Sequence, residues 1–275
     1  MNEADGGGPS GSGGNGKSGS GGDGESGSGD GGDKRRRRRR RDGATVAAPP
    51  SGAAARLRKV KGRKPSSRRW LERQLKDPYV VEAQRRGYRS RAAFKLIEID
   101  DKHRLLRPGQ RVVDLGAAPG GWCQVAAERV GERGRVVGLD LLEMDPLPGV
   151  EFLQGDMTDP ETSERLRAML DGPVDVVLSD LAPNATGHAP TDRLRIMAAV
   201  EAALDFAEEV LRPGGSFLAK TLHSGSAPDL MERLKRMFGH VHHVKPPSSR
   251  PESAEKYVLA TDYRGNDKAK RFKPP

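Results

Sequence analysis

Residues Arg111–Trp122 read RVVDLGAAPGGW, and this stretch decides the fold. Arg111, Val112, Val113 and Leu115 form the short β-branched run of a strand buried on both faces. Gly116, Ala117, Ala118, Pro119, Gly120 and Gly121 follow with almost no side chain, so a ligand can lie against bare backbone. From Trp122 the segment WCQVAAERV has helical spacing. A strand, a small-residue turn and a helix present a nucleotide-like ligand at the carboxyl edge of a doubly wound sheet.

The turn is ill suited to a pyrophosphate, which calls for G-x-G-x-x-G with free N–H groups at a helix start. Here the spacing is Asp114-x-Gly116-x-x-x-Gly120. Pro119 lacks an N–H, and Asp114 sets a carboxylate where a phosphate would be repelled. A carboxylate suits a cation. S-adenosylmethionine carries a sulfonium and an ammonium and no phosphate, so it fits this turn better than a nicotinamide or flavin cofactor. A turn that binds nothing would carry the entropic cost of its glycines without use.

Outward from this unit, strand and helix alternate from Arg107 on, which predicts a parallel sheet. Strands are expected at 111–115, 135–140, 150–155, 174–180, 215–221, 240–245 and 256–263, and helices at 121–130, 162–170, 192–211 and 226–238. Arg212-Pro213-Gly214-Gly215 is expected to end the long helix and feed the fifth strand. Seven strands with this spacing predict one Rossmann-like, three-layer α/β/α domain over 66–263. At its start, 67–76 (SRRWLERQLK) reads as a basic helix and 80–86 as a second short helical piece. Residues 90–103 form a longer helix, capped by Ser90, with Ala93, Phe94, Leu96 and Ile97 as its apolar face.

Residues 1–33 hold 15 of the 35 glycines and almost no large apolar residue. Such a segment cannot bury enough surface to offset its ordering entropy, and 1–65 is expected to be a disordered leader. It contains the basic run Lys34–Arg41. Gly11–Ser18, GSGGNGKS, matches a phosphate-loop pattern but lacks the flanking strand and helix that motif needs. Residues 264–275 read as a basic tail. The opening residues are acidic and small, unlike a secretory signal, and no stretch has the length and apolarity of a membrane span. The single cysteine, Cys123, rules out an intramolecular disulfide and fits a reducing cytoplasm. It reads as a small apolar helix residue. His240, His242 and His243 have no Cys or acid at ligand spacing, so no metal site is expected.

The net charge of +10 is unevenly placed: +8 in residues 1–64, +6 in 65–107 and −4 in 108–275. A basic appendage beside a mildly acidic fold is the footprint of a polyanion binder. Arg68, Arg69, Arg73, Lys76, Arg85, Arg86, Arg89 and Arg91 are the candidate phosphate contacts, positioning RNA without reading its sequence.

Acids recur at strand ends. Asp140 ends RVVGLD, 20 residues after Gly120, the distance at which an acid reaches ribose hydroxyls in such folds. Asp156 ends FLQGD, where it or its backbone can meet an adenine amino group. Asp180 ends VDVVLSD. Each alone could be a turn or cap residue; with Asp114 they suggest a pocket with negative walls. Lys220 ends GSFLAK at the same edge, facing Asp180. Glu255 opens EKYVLA, and Lys95 can approach from the preceding helix. Glu252 is a rival to Glu255, but it lies in a Pro-rich loop rather than on a strand. Burial disfavours the charged form of a lysine, and carboxylates can aim its amine. Such an amine can take the proton from a ribose hydroxyl, which is otherwise a poor nucleophile. The oxygen would then attack the sulfonium methyl in line.

From Ser67 to Tyr263 the chain resembles the FtsJ/RlmE family of ribosomal RNA ribose 2′-O-methyltransferases. The resemblance rests, in order, on SRAAFKLIEID, VVDLGAAPGGWCQ, DLLEMDPLPGVEFLQGD, LSDLAPNATG, LRPGGSFLAK and SSRPESAEKYVLA. It implies an S-adenosylmethionine-dependent methyltransferase fold. It places the family's catalytic Lys-Asp-Lys-Glu set on Lys95, Asp180, Lys220 and Glu255, with Lys220 as base. The family's cofactor contacts fall on Gly120, Trp122, Asp140, Asp156 and Asp180. It further implies a uridine in the A-loop of 23S rRNA as target, the large ribosomal subunit as partner, and a cytoplasmic monomer with no membrane partner. Transfer RNA or a messenger cap as substrate, and a non-catalytic ribosome-assembly role, are the competing readings.

Overall fold

β1 (Arg111–Leu115) lies inside the sheet, with β2 (Arg135–Asp140) and β4 (Val174–Ser179) parallel to it on either side. The computed structural model describes residues 77–222 and 228–265. The leader 1–65, the expected helix 67–76 and residues 266–275 of the tail lie outside them. Adding β3 (Val150–Gln154), β5 (Leu211–Leu222), β6 (Phe238–Val244) and β7 (Glu255–Tyr263) gives the order β3-β2-β1-β4-β5-β7-β6.

The expectation of a wholly parallel sheet is corrected at one strand. β7 runs antiparallel to both β5 and β6. Only the short segment 245–254 separates β6 from β7, with no crossover helix, and a parallel return would need a longer connection. β5 also begins earlier than expected. Leu211 already pairs with Val174, and the register shifts before Ser216 pairs with Val176, so Arg-Pro-Gly-Gly sits within the strand as an irregularity.

Six helices are described: α1 (Pro78–Arg86), α2 (Ala93–His103), α3 (Gly121–Val130), α4 (Pro160–Leu170), α5 (Ala189–Val210) and α6 (Pro228–Met237). Strand alternation sorts the core into two layers. Val112, Val136, Val176, Leu178, Leu218 and Leu259 pack with α2 and α3. Val113, Leu115, Val137, Val177, Phe217 and Val258 pack with α4, α5 and α6 on the other face. α2 starts later than expected. Ala92 is its N-cap, with no side-chain cap bond, and the first turn is closed by backbone contacts such as Ala93 N–H to the Ser90 carbonyl at 3.2 Å. Among the described residues no helix is long and apolar enough to cross a membrane.

Gly116 shows how tightly the sheet edge is drawn together. Its φ is +84°, and an added Cβ would lie 3.0 Å from the backbone nitrogen of Leu181, which cannot swing aside. Gly116→Ala is therefore expected to destabilise the fold by about 1–3 kcal/mol, measured as a drop in unfolding free energy in urea; an unchanged midpoint would contradict the close approach.

Candidate active site

β4, β5 and β7 carry four charged or polar groups to one spot on the face covered by α2. Residue parity does this. Leu178, Leu218 and Leu259 face α2 and α3, so Asp180, Lys220, Tyr257 and Glu255, an even number of residues away along their strands, face the same way. Lys220 Nζ is 2.7 Å from Asp180 Oδ1 and 3.9 Å from Glu255 Oε2. It also donates to the Asp180 carbonyl at 3.1 Å. Lys95, on α2, reaches Glu255 Oε1 at 2.6 Å. Both lysines are only 9% exposed. Burial pushes the Glu255 carboxyl up, but Lys95 and Lys220 outweigh it and hold it below its usual value. Glu252, the rival, makes no described contact with this cluster and sits in an exposed turn.

Tyr257 completes the cluster, and the sequence reading missed it. It lies opposite Lys220 across the β5–β7 ladder. Its hydroxyl is 2.9 Å from Asp180 Oδ1 and 3.3 Å from Glu255 Oε1. Burial, then the two carboxylates, push its phenol well above the usual range. It therefore stays a neutral donor between two acids. The signal was available: Tyr257 stands two residues after Glu255, hence on the same strand face.

The proposed ligand edge lies beside this cluster. Asp140 is bound on both oxygens, Oδ2 accepting from the Ala118 N–H at 2.9 Å and Oδ1 from the Leu142 N–H at 2.8 Å. It thus fastens the turn after β1 to the loop after β2. Asp156 is exposed, and its Oδ1 accepts from both the N–H and the hydroxyl of Thr158, a local turn. Gly120, with φ +106°, opens α3. The Trp122 indole is buried; it donates to the Ala92 carbonyl at 2.8 Å and lies 5.6 Å from the Tyr257 ring. Only the main chain of Trp122 remains to meet a ligand.

Asp114 corrects the expectation of a four-acid wall. It is fully buried, under the turn rather than in a pocket. Its Oδ2 accepts from the Cys123 thiol at 3.1 Å, while its buried Oδ1 has no hydrogen-bond partner among the described residues. Cys123 is thus a buried donor and not merely an apolar filler. Burial raises the Asp114 carboxyl to about 7, against the Cys123 thiol that lowers it and with the charges of Asp180 and Asp140 adding to the rise. The unfolded chain releases this proton near pH 4. Between those values the folded form binds one proton more, so this group's stabilisation falls as pH rises from about 4 and is fully lost above about 7. Asp114→Asn is expected to remove that dependence, flattening the stability profile by on the order of 2 kcal/mol between about pH 5 and 8. Urea unfolding across that range checks it; an unchanged slope would contradict it.

Two arginines expected to hold phosphates make contacts within the protein. Arg91 pairs with Asp77 at 3.0 Å, donates to the Ser248 carbonyl and lies over the Tyr79 ring. Arg89 donates to three backbone carbonyls, Pro119 at 3.3 Å, Asp145 at 2.7 Å and Pro146 at 2.7 Å. Arg85 and Arg86 remain at the surface, held by Glu82. Arg68, Arg69, Arg73 and Lys76 lie outside the described residues. No group of His, Cys, Asp and Glu among the described residues is arranged to hold a metal ion.

Fold and edge chemistry together define an α/β methyltransferase. The FtsJ-like methyltransferase family profile matches residues 88–263, and the chain belongs to that family. The ribosomal RNA large subunit methyltransferase E of Bradyrhizobium sp. is 60% identical over 210 residues, covering 75% of this chain and 91% of its own. The protein of that name from Gluconobacter oxydans is 57% identical over 208 residues, with 76% and 77% covered. Among solved structures, a ribosomal RNA methyltransferase from Plasmodium falciparum is similar at 33% identity and a TM-score of 0.59, over 65% of this chain and 100% of that one.

Proposed function

We propose that this protein transfers a methyl group from S-adenosylmethionine to the ribose 2′-hydroxyl of a uridine in the A-loop of 23S ribosomal RNA. It acts as a cytoplasmic monomer on the assembled or late-assembling large subunit. The observation that carries this reading is the convergence of Lys95, Asp180, Lys220 and Glu255 at the ligand edge. The names of the relatives support the RNA class; the resemblance to the FtsJ/RlmE family supports the uridine and the sugar oxygen.

The residues at the edge suit the donor. Asp140, Asp156 and Asp180 give a negative surround without a phosphate-ready turn, and the positive φ of Gly116 and Gly120 leaves bare backbone beside them. Gly120, the Trp122 main chain, Asp140, Asp156 and Asp180 would hold it. When bound, S-adenosylmethionine supplies an electrophilic methyl group on its sulfonium. Lys220 takes the proton from the 2′-hydroxyl. As a free amine it keeps two N–H groups for Asp180 Oδ1 and the Asp180 carbonyl, at 2.7 and 3.1 Å, and turns its lone pair to the substrate. The deprotonated sugar oxygen would be the nucleophile toward that methyl group, whose bonding electrons to sulfur would stay on sulfur, and Lys220 would then return its proton to solvent. Asp180 and Glu255 balance the charge that Lys220 gains, and Lys95 holds Glu255 in place.

Mapping 2′-O-methyl groups across cellular RNA with and without the gene tests the substrate. Loss of one mark in large-subunit RNA is expected; loss confined to transfer RNA or messenger caps would overturn the assignment. RNA binding is expected to weaken steeply with salt, because the basic residues contact phosphates. A flat salt response would remove the phosphate contacts.

A further inference from the structure

Residues 87–92 link α1 to α2 and run across the start of α3, stitched to it at several points. The Arg89 N–H donates to Gln124 Oε1 at 2.8 Å, and Gln124 Nε2 donates back to the Gly87 carbonyl at 3.0 Å. Tyr88 donates to Glu128 at 2.9 Å, and Trp122 donates to the Ala92 carbonyl at 2.8 Å. In the middle, the Arg89 guanidinium spans two separate segments. Nη1 reaches the carbonyls of Pro119, in the turn after β1, and Asp145, in the loop after β2; Nη2 reaches Pro146 in the same loop. An added Cβ at Gly120 would meet Met144 Sδ at 3.0 Å and Arg89 Nη1 at 3.1 Å, so both side chains press on that glycine.

We propose that Arg89 is a positioning residue of the methyl-donor site, clamping the Pro119–Gly120 turn to the 145–146 loop, and is not a phosphate contact for RNA. The inference rests on the donor site proposed above. The same two segments are already joined by Asp140, through the Ala118 and Leu142 N–H groups. That bond is made by a carboxylate which the donor's sugar would also engage. The Arg89 fork holds the segments through other atoms, so their spacing persists while Asp140 takes up ligand hydroxyls. A planar guanidinium reaches several fixed carbonyls at once, which a lysine ammonium on a flexible stem does poorly. Three of the five guanidinium N–H groups are committed to carbonyls, which fixes the direction in which the fork points.

The test uses the full chain and the variants Arg89→Ala and Arg89→Lys. Titration calorimetry with S-adenosylmethionine should show about a tenfold or greater loss of affinity for Arg89→Ala, with Arg89→Lys intermediate. The KM for the donor should rise in step, while kcat at saturating donor and the RNA affinity move less than about threefold. Without donor, hydrogen exchange of Arg89→Ala should quicken at 116–124 and 143–147 and stay unchanged in β5 and β7. Unchanged donor affinity together with weaker, less salt-sensitive RNA binding would overturn the proposal and return Arg89 to the phosphate contacts. Equal loss of donor and RNA affinity with faster exchange throughout would overturn it as general unfolding. If the unaltered protein binds no S-adenosylmethionine, the donor reading itself fails, a result distinct from a failure at Arg89 alone.

Discussion

Lys220→Ala is expected to lower kcat for methyl transfer by roughly a thousandfold, the scale on which a positioned base contributes. The side chain is the group at the ligand edge with both a carboxylate and a carbonyl to orient it, at 2.7 and 3.1 Å. Lys220→Arg separates two explanations. A guanidinium keeps the charge and can still pair with Asp180, but it does not give up a proton near neutral pH. If Lys220 takes the proton, the Arg variant is as slow as the Ala variant. If Lys220 only anchors Asp180, the Arg variant keeps most of the rate. Single-turnover transfer of a labelled methyl group, at saturating donor and RNA, reads the difference, with thermal midpoints beside it to separate a folding loss. An Ala variant within tenfold of the unaltered rate would remove Lys220 from the chemistry.

The middle of the sheet was legible because local and global signals agree there. β1, β2 and α3 coincide with the segments expected from β-branched runs and helical spacing. The antiparallel β7 was not legible, because strand direction depends on a connection whose shape no periodicity reports. The start of α2 was misread for a related reason. Ser90 has the composition of a cap, yet its hydroxyl lies where a Gly121 Cβ would be, against the start of α3. A contact across 31 residues outweighed a local preference.

The candidate site was legible wherever strand parity carries it. Asp180 and Lys220 could be placed at one edge from the ends of their strands, whereas Glu255 opens its strand and reaches that edge only because β7 runs antiparallel. Asp114 obeys the same parity but lies one layer deeper, under the turn, and strand position alone does not distinguish edge from interior. The arginines failed for another reason. Net charge located a basic segment correctly, but charge does not tell whether a guanidinium faces water or, like Arg89 and Arg91, caps carbonyls and acids of its own chain.

Asp180→Asn is expected to lower kcat by roughly a hundredfold, the scale of losing one preorganised electrostatic partner, while the thermal midpoint changes little. Asp180 Oδ1 receives Lys220 at 2.7 Å and the Tyr257 hydroxyl at 2.9 Å. An amide oxygen in its place still accepts both, and the Asp180 carbonyl still holds Lys220. What disappears is the negative charge that would balance Lys220 as it gains a proton, so the variant isolates electrostatics from geometry. Asp180→Ala removes both, and should also destabilise the fold by about 1–3 kcal/mol, because Tyr257 and Lys220 lose a buried acceptor. Tyr257→Phe leaves the carboxylate charge and both Lys220 donors in place, and its effect on kcat should stay within about tenfold. Rates in the order Asp180→Ala, Asp180→Asn, Tyr257→Phe, from slowest to fastest, would follow from charge balance at Lys220. An Asn variant as fast as the unaltered protein would mean that Asp180 serves only to hold the lysine still.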